Sequence, residues 1–269
     1  VWANEKLFQL DEEFRPARVA GVPPDYFSAT GQRWGNPLYD WEAMKKEGYA
    51  WWIRRIEKSL ELYDIIRIDH FRGFEAYWSV PADEETAVNG RWEKGPGHAF
   101  FDAVKKRLGM LPIIAEDLGI ITPEVERLRD DFQLPGMKIL QFAFDGSAEN
   151  LYLPHNDVHE SVIYTGTHDN DTTVGWFGSI DNKEYVLEYL DSREPKIEWA
   201  MIRAALASVS VFSLFPLQDI LGLGSEARMN TPGRTDGNWE WRVTKEQLEK
   251  ADFGKLYHLS RLYGRVRTI

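Results

Sequence analysis

No cysteine occurs anywhere in the chain. Its absence excludes a disulfide scaffold, thiol catalysis, zinc fingers and cysteine-ligated iron–sulfur clusters. Long apolar runs are missing too. Nothing approaches the ~18 uninterrupted apolar residues of a membrane span, and the best candidate, 204–217, is broken by three serines and reads as a buried helix running into a strand. Cations are the minority charge, with 32 Lys and Arg against 43 Asp and Glu and a formal net charge of −11. An acidic surface repels phosphate backbones and anionic headgroups, so neither nucleic acid nor a membrane is expected as the main partner. A neutral partner fits better. The first residues show no basic, serine-rich or apolar leader, so no targeting peptide is expected, and because the chain opens on Val1 and not on Met, sequence upstream of it is expected. Low-complexity tracts and short repeats are absent. Aromatic residues are plentiful, with 14 Phe, 11 Tyr and 11 Trp in 269 residues, enough for a sizeable core.

Five short β-branched or apolar runs read as strands buried on both faces: 64–68, 112–115, 137–144, 161–164 and 213–217. Helical patterns at 41–46, 49–62, 99–108, 123–132, 184–190 and 196–211 lie between most of them. The helix at 123 is signalled by Thr122 at the cap, Pro123 at its first position and Glu124 in the first turn. This alternation predicts an α/β fold with a parallel sheet. Polar residues gather just after the strands, as in a barrel whose carboxyl-end loops carry the chemistry. A doubly wound sheet would show a glycine-rich phosphate loop after its first strand, and none is present. A closed (β/α) barrel needs eight strands, so three units are expected to be missing. The whole of 1–269 then reads as the later part of one barrel domain.

Three strand ends carry acids. In RIDHFRG, Arg67–Gly73, Arg67 precedes Asp69 by two residues on the same side of the pleat and keeps it ionised, which suits a nucleophile. That pair alone would read as a capped strand end. In IIAEDLG, Ile113–Gly119, Glu116 follows three apolar residues; low-dielectric walls raise its pKa and suit a general acid. In YTGTHDNDT, Tyr164–Thr172, His168 and Asp169 can bind sugar hydroxyls, and the carboxylate can stabilise a cationic transition state. The spacing fails for a calcium loop, and His168 has no metal-ligand partner at suitable spacing, though the residues alone leave a metal there open. Retaining glycoside chemistry needs an ionised nucleophile and a protonated acid about 5 Å apart, which strand ends of one barrel can supply. The stretch 21–41, with Tyr26, Phe27, Trp34, Tyr39 and Trp41 among turn formers, reads as a loop and a candidate lid over a saccharide groove. Trp51 and Trp52 read as packing. The Gly-rich stretch 221–242 offers Asn230, Asn238 and Trp239 as polar and stacking groups; it lacks the Gly-Lys-Ser/Thr of a phosphate loop.

RIDHFRG, AEDLG and GTHDND, in that order, with GVPPDYFS, WGNPLYDW, GLGSEARMN and GNWEWR, closely resemble the 4-α-glucanotransferases called amylomaltases or disproportionating enzymes. WWIRRI, GRWEKGPG and ENLYLPHN look most like their plastid and cyanobacterial branch. The resemblance implies a (β/α)8 barrel of the α-amylase clan, here about five of its β/α units, and transfer of α-1,4-glucan segments between maltooligosaccharide, starch or glycogen chains. It implies Asp69 as nucleophile, Glu116 as acid/base and Asp169 as the stabilising third carboxylate. Arg67 matches the nucleophile's arginine partner and His168 a hydroxyl-binding histidine. Trp34 lies in an aromatic segment that favours an incoming sugar over water. His70, Asn36, Asp117, Gln218 and Asn238 complete the candidate substrate contacts. Arg33 departs from the leucine commoner in that segment. No metal or organic cofactor is implied, and the rest of the barrel is expected to come from the other half of the full-length protein. The compartment implied is bacterial cytoplasm or plastid stroma, without secretion. An α-glucan hydrolase and a glucan-binding remnant without activity are the alternatives.

Overall fold

The computed structural model describes residues 3–24, 28–191 and 194–266, so Tyr26 and Phe27 lie outside the described residues. The chain divides into two compact units, Val1–Gly136 and Met137–Ile269.

In the first unit, β1 (Arg18–Val22), β2 (Gln32–Pro37), β4 (Ala76–Pro81) and β5 (Arg91–Lys94) form an antiparallel sheet in the order β2-β1-β4-β5. The expectation of a purely parallel sheet is corrected here. These strands carry few continuous apolar residues because most of their side chains are only partly buried, and β1 finds β4 some sixty residues away. The stretch 21–41, expected to be loop throughout, likewise contains the end of β1 and all of β2. Arg33 of β2 donates to the Ala82 carbonyl at 2.9 Å. The expected parallel pairing is found between β3 (Ile66–Ile68) and β6 (Ile113–Ala115), in the register Ile66 to Ile113 and Ile68 to Ala115.

Helices α1 (Trp41–Lys46), α2 (Ala50–Leu60), α3 (Gly97–Leu108) and α4 (Pro123–Asp131) cover this pair. Asp40 caps α1 by accepting from the Ala43 amide at 2.8 Å, a contact worth about 1 kcal/mol. Thr122 stands at the cap of α4 with extended backbone, and its hydroxyl makes no cap bond. The core is aromatic. Phe74, Phe100 and Phe101 stack within 4.8–5.2 Å of one another, with Trp51 and Trp52 packed against the cluster. Each buried ring removes enough apolar surface to contribute roughly 1.5–3 kcal/mol. These rings share one core with Ile68 of β3 and with Ile113 and Ala115 of β6.

In the second unit, β7 (Gly136–Ile139), β8 (Ser161–Tyr164) and β9 (Phe212–Leu214) lie in the order β7-β8-β9, with β8 and β9 parallel. Helices α5 (Thr173–Ser179), α6 (Lys183–Leu190) and α7 (Ile197–Ala207) form the crossover between β8 and β9. Two strand ends differ from expectation. β7 stops at Ile139 because Leu140–Phe142 tighten into a 3-10 turn. β9 stops at Leu214 because Pro216 has no amide to pair and instead precedes α8 (Leu217–Leu221). Two further helices follow, α9 (Lys245–Lys250), with a Thr244/Gln247 capping box, and α10 (Phe253–Leu262).

Candidate active site

The register of β3 on β6 places Asp69 and Glu116 one residue beyond the carboxyl ends of two neighbouring parallel strands. The Glu116 amide continues the ladder to the Ile68 carbonyl at 3.0 Å, and the Phe71 amide returns to the Glu116 carbonyl at 3.0 Å. Arg67 Nη2 donates to Asp69 Oδ1 at 2.5 Å, as their spacing on one side of the pleat requires. The Asp69 side chain is 77% exposed. One carboxylate is therefore presented to solvent with a cation at its side.

Glu116 stands in a different environment. Its Oε2 accepts the His70 amide at 2.5 Å and its Oε1 the Leu118 amide at 3.1 Å. Burial pushes its pKa up, the nearby Asp69 charge adds to the rise, and the two amides with Arg67 oppose it. Two carboxyls on adjacent strand ends thus differ in exposure and in surroundings, one with a cation at its side and the other pushed toward its protonated form by burial.

The His70 amide can reach Glu116 because His70 adopts the left-handed conformation, φ 51° and ψ 51°, sparsely populated by side chains with a Cβ. Gly73 leaves room for the imidazole, since a Cβ there would stand a tight 3.1 Å from His70 Cδ2. Burial, reinforced by the Arg72 cation against the pull of Asp69, lowers the His70 imidazole to about 4, so it is neutral at pH 7. Trp34 meets its ring edge to face, with centroids 4.8 Å apart. Trp34 is 44% exposed. Asn36 follows on β2, exposed.

Asp117 serves another purpose. Its buried carboxylate takes Arg129 Nη1 of α4 at 2.5 Å and fills the space where a Cβ on Gly136 would fall, 2.4 Å from Oδ2. It braces the loop behind Glu116 and has little left to offer a ligand.

In the second unit, the loop after β8 presents His168 and Asp169, with His168 Nε2 3.4 Å from Asp169 Oδ2. Asn230 Nδ2 donates to Asp169 Oδ1 at 2.6 Å, and its amide to the His168 carbonyl at 3.0 Å. Arg228 Nη2 holds the Asp169 carbonyl at 2.6 Å. Trp239, strained at φ 64° and half exposed, lies 5.1 Å from the His168 ring. Beneath, the buried Asp219 accepts Thr165 Oγ1 at 2.6 Å and both the amide and the hydroxyl of Thr173 at 2.8 Å. Gln218 and Asn238 are already engaged. Gln218 is buried with its amide on the Ala227 carbonyl, and Asn238 bridges the Thr231 amide and the Arg234 carbonyl. Sequence reasoning missed Arg228, whose partners are main-chain atoms that no spacing reveals.

Among the described residues, no group of three or more His, Asp or Glu side chains is gathered as for a metal ion. No helix among them is long and apolar enough to cross a membrane. A family model described as 4-alpha-glucanotransferase matches residues 1–248. The chain belongs to that family. It is 57% identical over 271 residues to the 4-alpha-glucanotransferase of Synechocystis sp., an alignment covering 98% of the chain and 54% of that relative. It is 49% identical over 272 residues to the chloroplastic/amyloplastic 4-alpha-glucanotransferase of Solanum tuberosum, covering 99% and 47%. Among solved structures, the amylomaltase from Streptococcus agalactiae in complex with acarbose fits with a TM-score of 0.93 at 40% identity, over 99% of the chain and 55% of that structure. The chain spans about half the length of the curated relatives it matches.

Proposed function

We propose that the chain carries the reacting carboxyls of an α-1,4-glucan disproportionating enzyme, and that its parallel strands are the later five of a (β/α)8 barrel whose remainder lies in the other half of the full-length protein. The observation that carries the activity is the pairing of Asp69 with Glu116 at neighbouring strand ends, one exposed and ion-paired, the other part-buried with its pKa pushed up by burial. The barrel reading is supported by the parallel β-α-β crossovers and by strand-end loops that hold the polar residues.

In the first half-reaction, Asp69 attacks the anomeric carbon of a donor glucan while Glu116 gives its proton to the departing glycosidic oxygen. A covalent glucosyl ester results. In the second, Glu116 takes the proton from the 4-hydroxyl of an acceptor glucan, which displaces Asp69, so configuration is retained. Arg67 pairs with the Asp69 carboxylate, and Asp169 with His168 is assigned to stabilising positive charge on the sugar and binding its hydroxyls. The substrates are linear α-glucans, consistent with the acarbose held by the amylomaltase that fits this chain. Neither nucleic acid nor membrane is a proposed partner. Bacterial cytoplasm or plastid stroma is the proposed compartment, supported by the cyanobacterial and chloroplastic relatives.

Incubation with maltotriose tests the reading. Transfer yields glucose together with oligosaccharides longer than the substrate, whereas hydrolysis yields only shorter ones. Exclusively shorter products, or none, would overturn the proposal.

Transfer requires that the ester meet a sugar before water. Trp34, exposed beside His70, provides an apolar face on which an acceptor can stack, a contact worth about 1 kcal/mol. Trp34→Ala should therefore raise hydrolysis relative to transfer by roughly fivefold. An unchanged product ratio would remove Trp34 from acceptor binding.

A further inference from the structure

Arg72 lies three residues beyond Asp69 on the 3-10 turn Phe71–Phe74 and is only 7% exposed. A buried guanidinium is costly, and an apolar side chain of similar size would often serve stability better. Its relief is incomplete. Glu75 is its electrostatic partner but is itself ion-paired with Lys94 of β5, and Nε has no hydrogen-bond partner at all. Two contacts hold the group instead. The guanidinium carbon lies 3.9 Å from the ring centroid of Trp92 on β5, and Nη1 donates to the Ile120 carbonyl at 2.5 Å.

Ile120 closes the loop that starts at Glu116. That loop is tied to the Asp69–Arg72 segment in three places: the Phe71 amide on the Glu116 carbonyl, the His70 amide on Glu116 Oε2, and Arg72 on the Ile120 carbonyl. Only the last uses a side chain of the Asp69–Arg72 segment. The clamp also gives the GRWEKGPG segment a place in the site, since the Trp92 ring lies against the guanidinium that reaches Ile120. Gly95 of the same segment comes so close to this turn that a Cβ would meet the Phe74 carbonyl at 2.3 Å.

We propose that Arg72 is a positioning residue: held flat by Trp92, it anchors the 116–120 loop at Ile120 and so keeps the Glu116 carboxyl under the His70 and Leu118 amides. This rests on the reading of Glu116 as acid/base. Loosening the anchor lengthens those two bonds, which favour the carboxylate, while burial remains. Glu116 then holds its proton to higher pH. The other charges facing it are Asp69, which acts the same way, and Arg67, which opposes; His70 is neutral above pH about 4, and Asp117 is paired with Arg129.

Arg72→Met in the intact protein keeps an apolar chain against Trp92 and removes the anchor. Expected are a kcat for maltotriose disproportionation lower by roughly 10- to 100-fold, a KM within about twofold of wild type, and an alkaline limb displaced upward. The Glu116 carboxyl resonance, assigned by its loss in Glu116→Gln, should titrate at higher pH. Trp92→Leu, on a 40% exposed residue that folding tolerates, should move both readouts in the same direction by a smaller amount. Folded variants with wild-type kcat and wild-type Glu116 titration would overturn the proposal. A wild-type protein without transfer products, in which Arg72→Met still raises the Glu116 titration, would overturn the transferase reading and support the clamp.

Discussion

Asp69→Asn in the intact protein should lower glucosyl transfer from maltotriose by roughly 10⁴-fold or more, the scale on which removing a covalent nucleophile acts. The amide cannot form the glucosyl ester, and Glu116 does not replace it, because both of its oxygens are turned onto the His70 and Leu118 amides. Stability should change little. Asp69 is 77% exposed and its bond to Arg67 is a surface pair, worth about 0–1 kcal/mol. The diagnostic pattern is an inert enzyme with an unaltered melting temperature and retained oligosaccharide binding. If Asp69 merely capped the end of β3 through Arg67, the opposite pattern would appear: a small loss of stability and turnover within about tenfold of wild type. That result would reject the nucleophile.

The contacts that make this argument possible were unequally legible. Asp69 with Arg67 follows from i, i+2 spacing on a strand, and the apolar runs at 112–115 and 161–164 fall on β6 and β8 because strands buried on both faces leave no polar alternation. The antiparallel sheet was hidden because its central pair, β1 with β4, lies about sixty residues apart and its exposed faces carry mixed residues, as in the Gln32–Pro37 strand. Helix α5, with the sequence TVGWFGS, has two glycines and β-branched residues against it, and forms because Thr172 caps the Gly175 amide and the buried Asp219 takes the Thr173 amide. Within the site, the acids could be read from their positions after strands, but what tunes them could not. The left-handed turn at His70, the Leu118 amide on Glu116, the Asn230 carboxamide on Asp169 and the path from Trp92 through Arg72 to Ile120 are all made by tertiary placement. Gln218 and Asn238 show the converse: polar residues in promising places whose amides the backbone had already claimed.

Glu116→Gln isolates the proton from the nucleophile. Wild-type transfer should fall as pH rises through the Glu116 titration, since the first half-reaction needs the protonated acid, and burial sets that limb above the range of an ordinary glutamate. Glutamine neither donates to the leaving oxygen nor accepts from the incoming 4-hydroxyl. Turnover of maltotriose should drop by roughly 10²- to 10⁴-fold and lose its alkaline limb. The loss should depend on the leaving group. Maltosyl fluoride departs as fluoride without protonation, so its first half-reaction should proceed at near wild-type rate in Glu116→Gln, while breakdown of the ester, which needs the base, stays slow. The ester should then accumulate, raising the mass of the intact protein by one maltosyl group located on the peptide bearing Asp69. Equal losses with maltotriose and with the fluoride would show that Glu116 shapes the site without moving the proton. A label on any peptide other than that of Asp69 would show that the roles of the two strand-end acids have been assigned to the wrong residues.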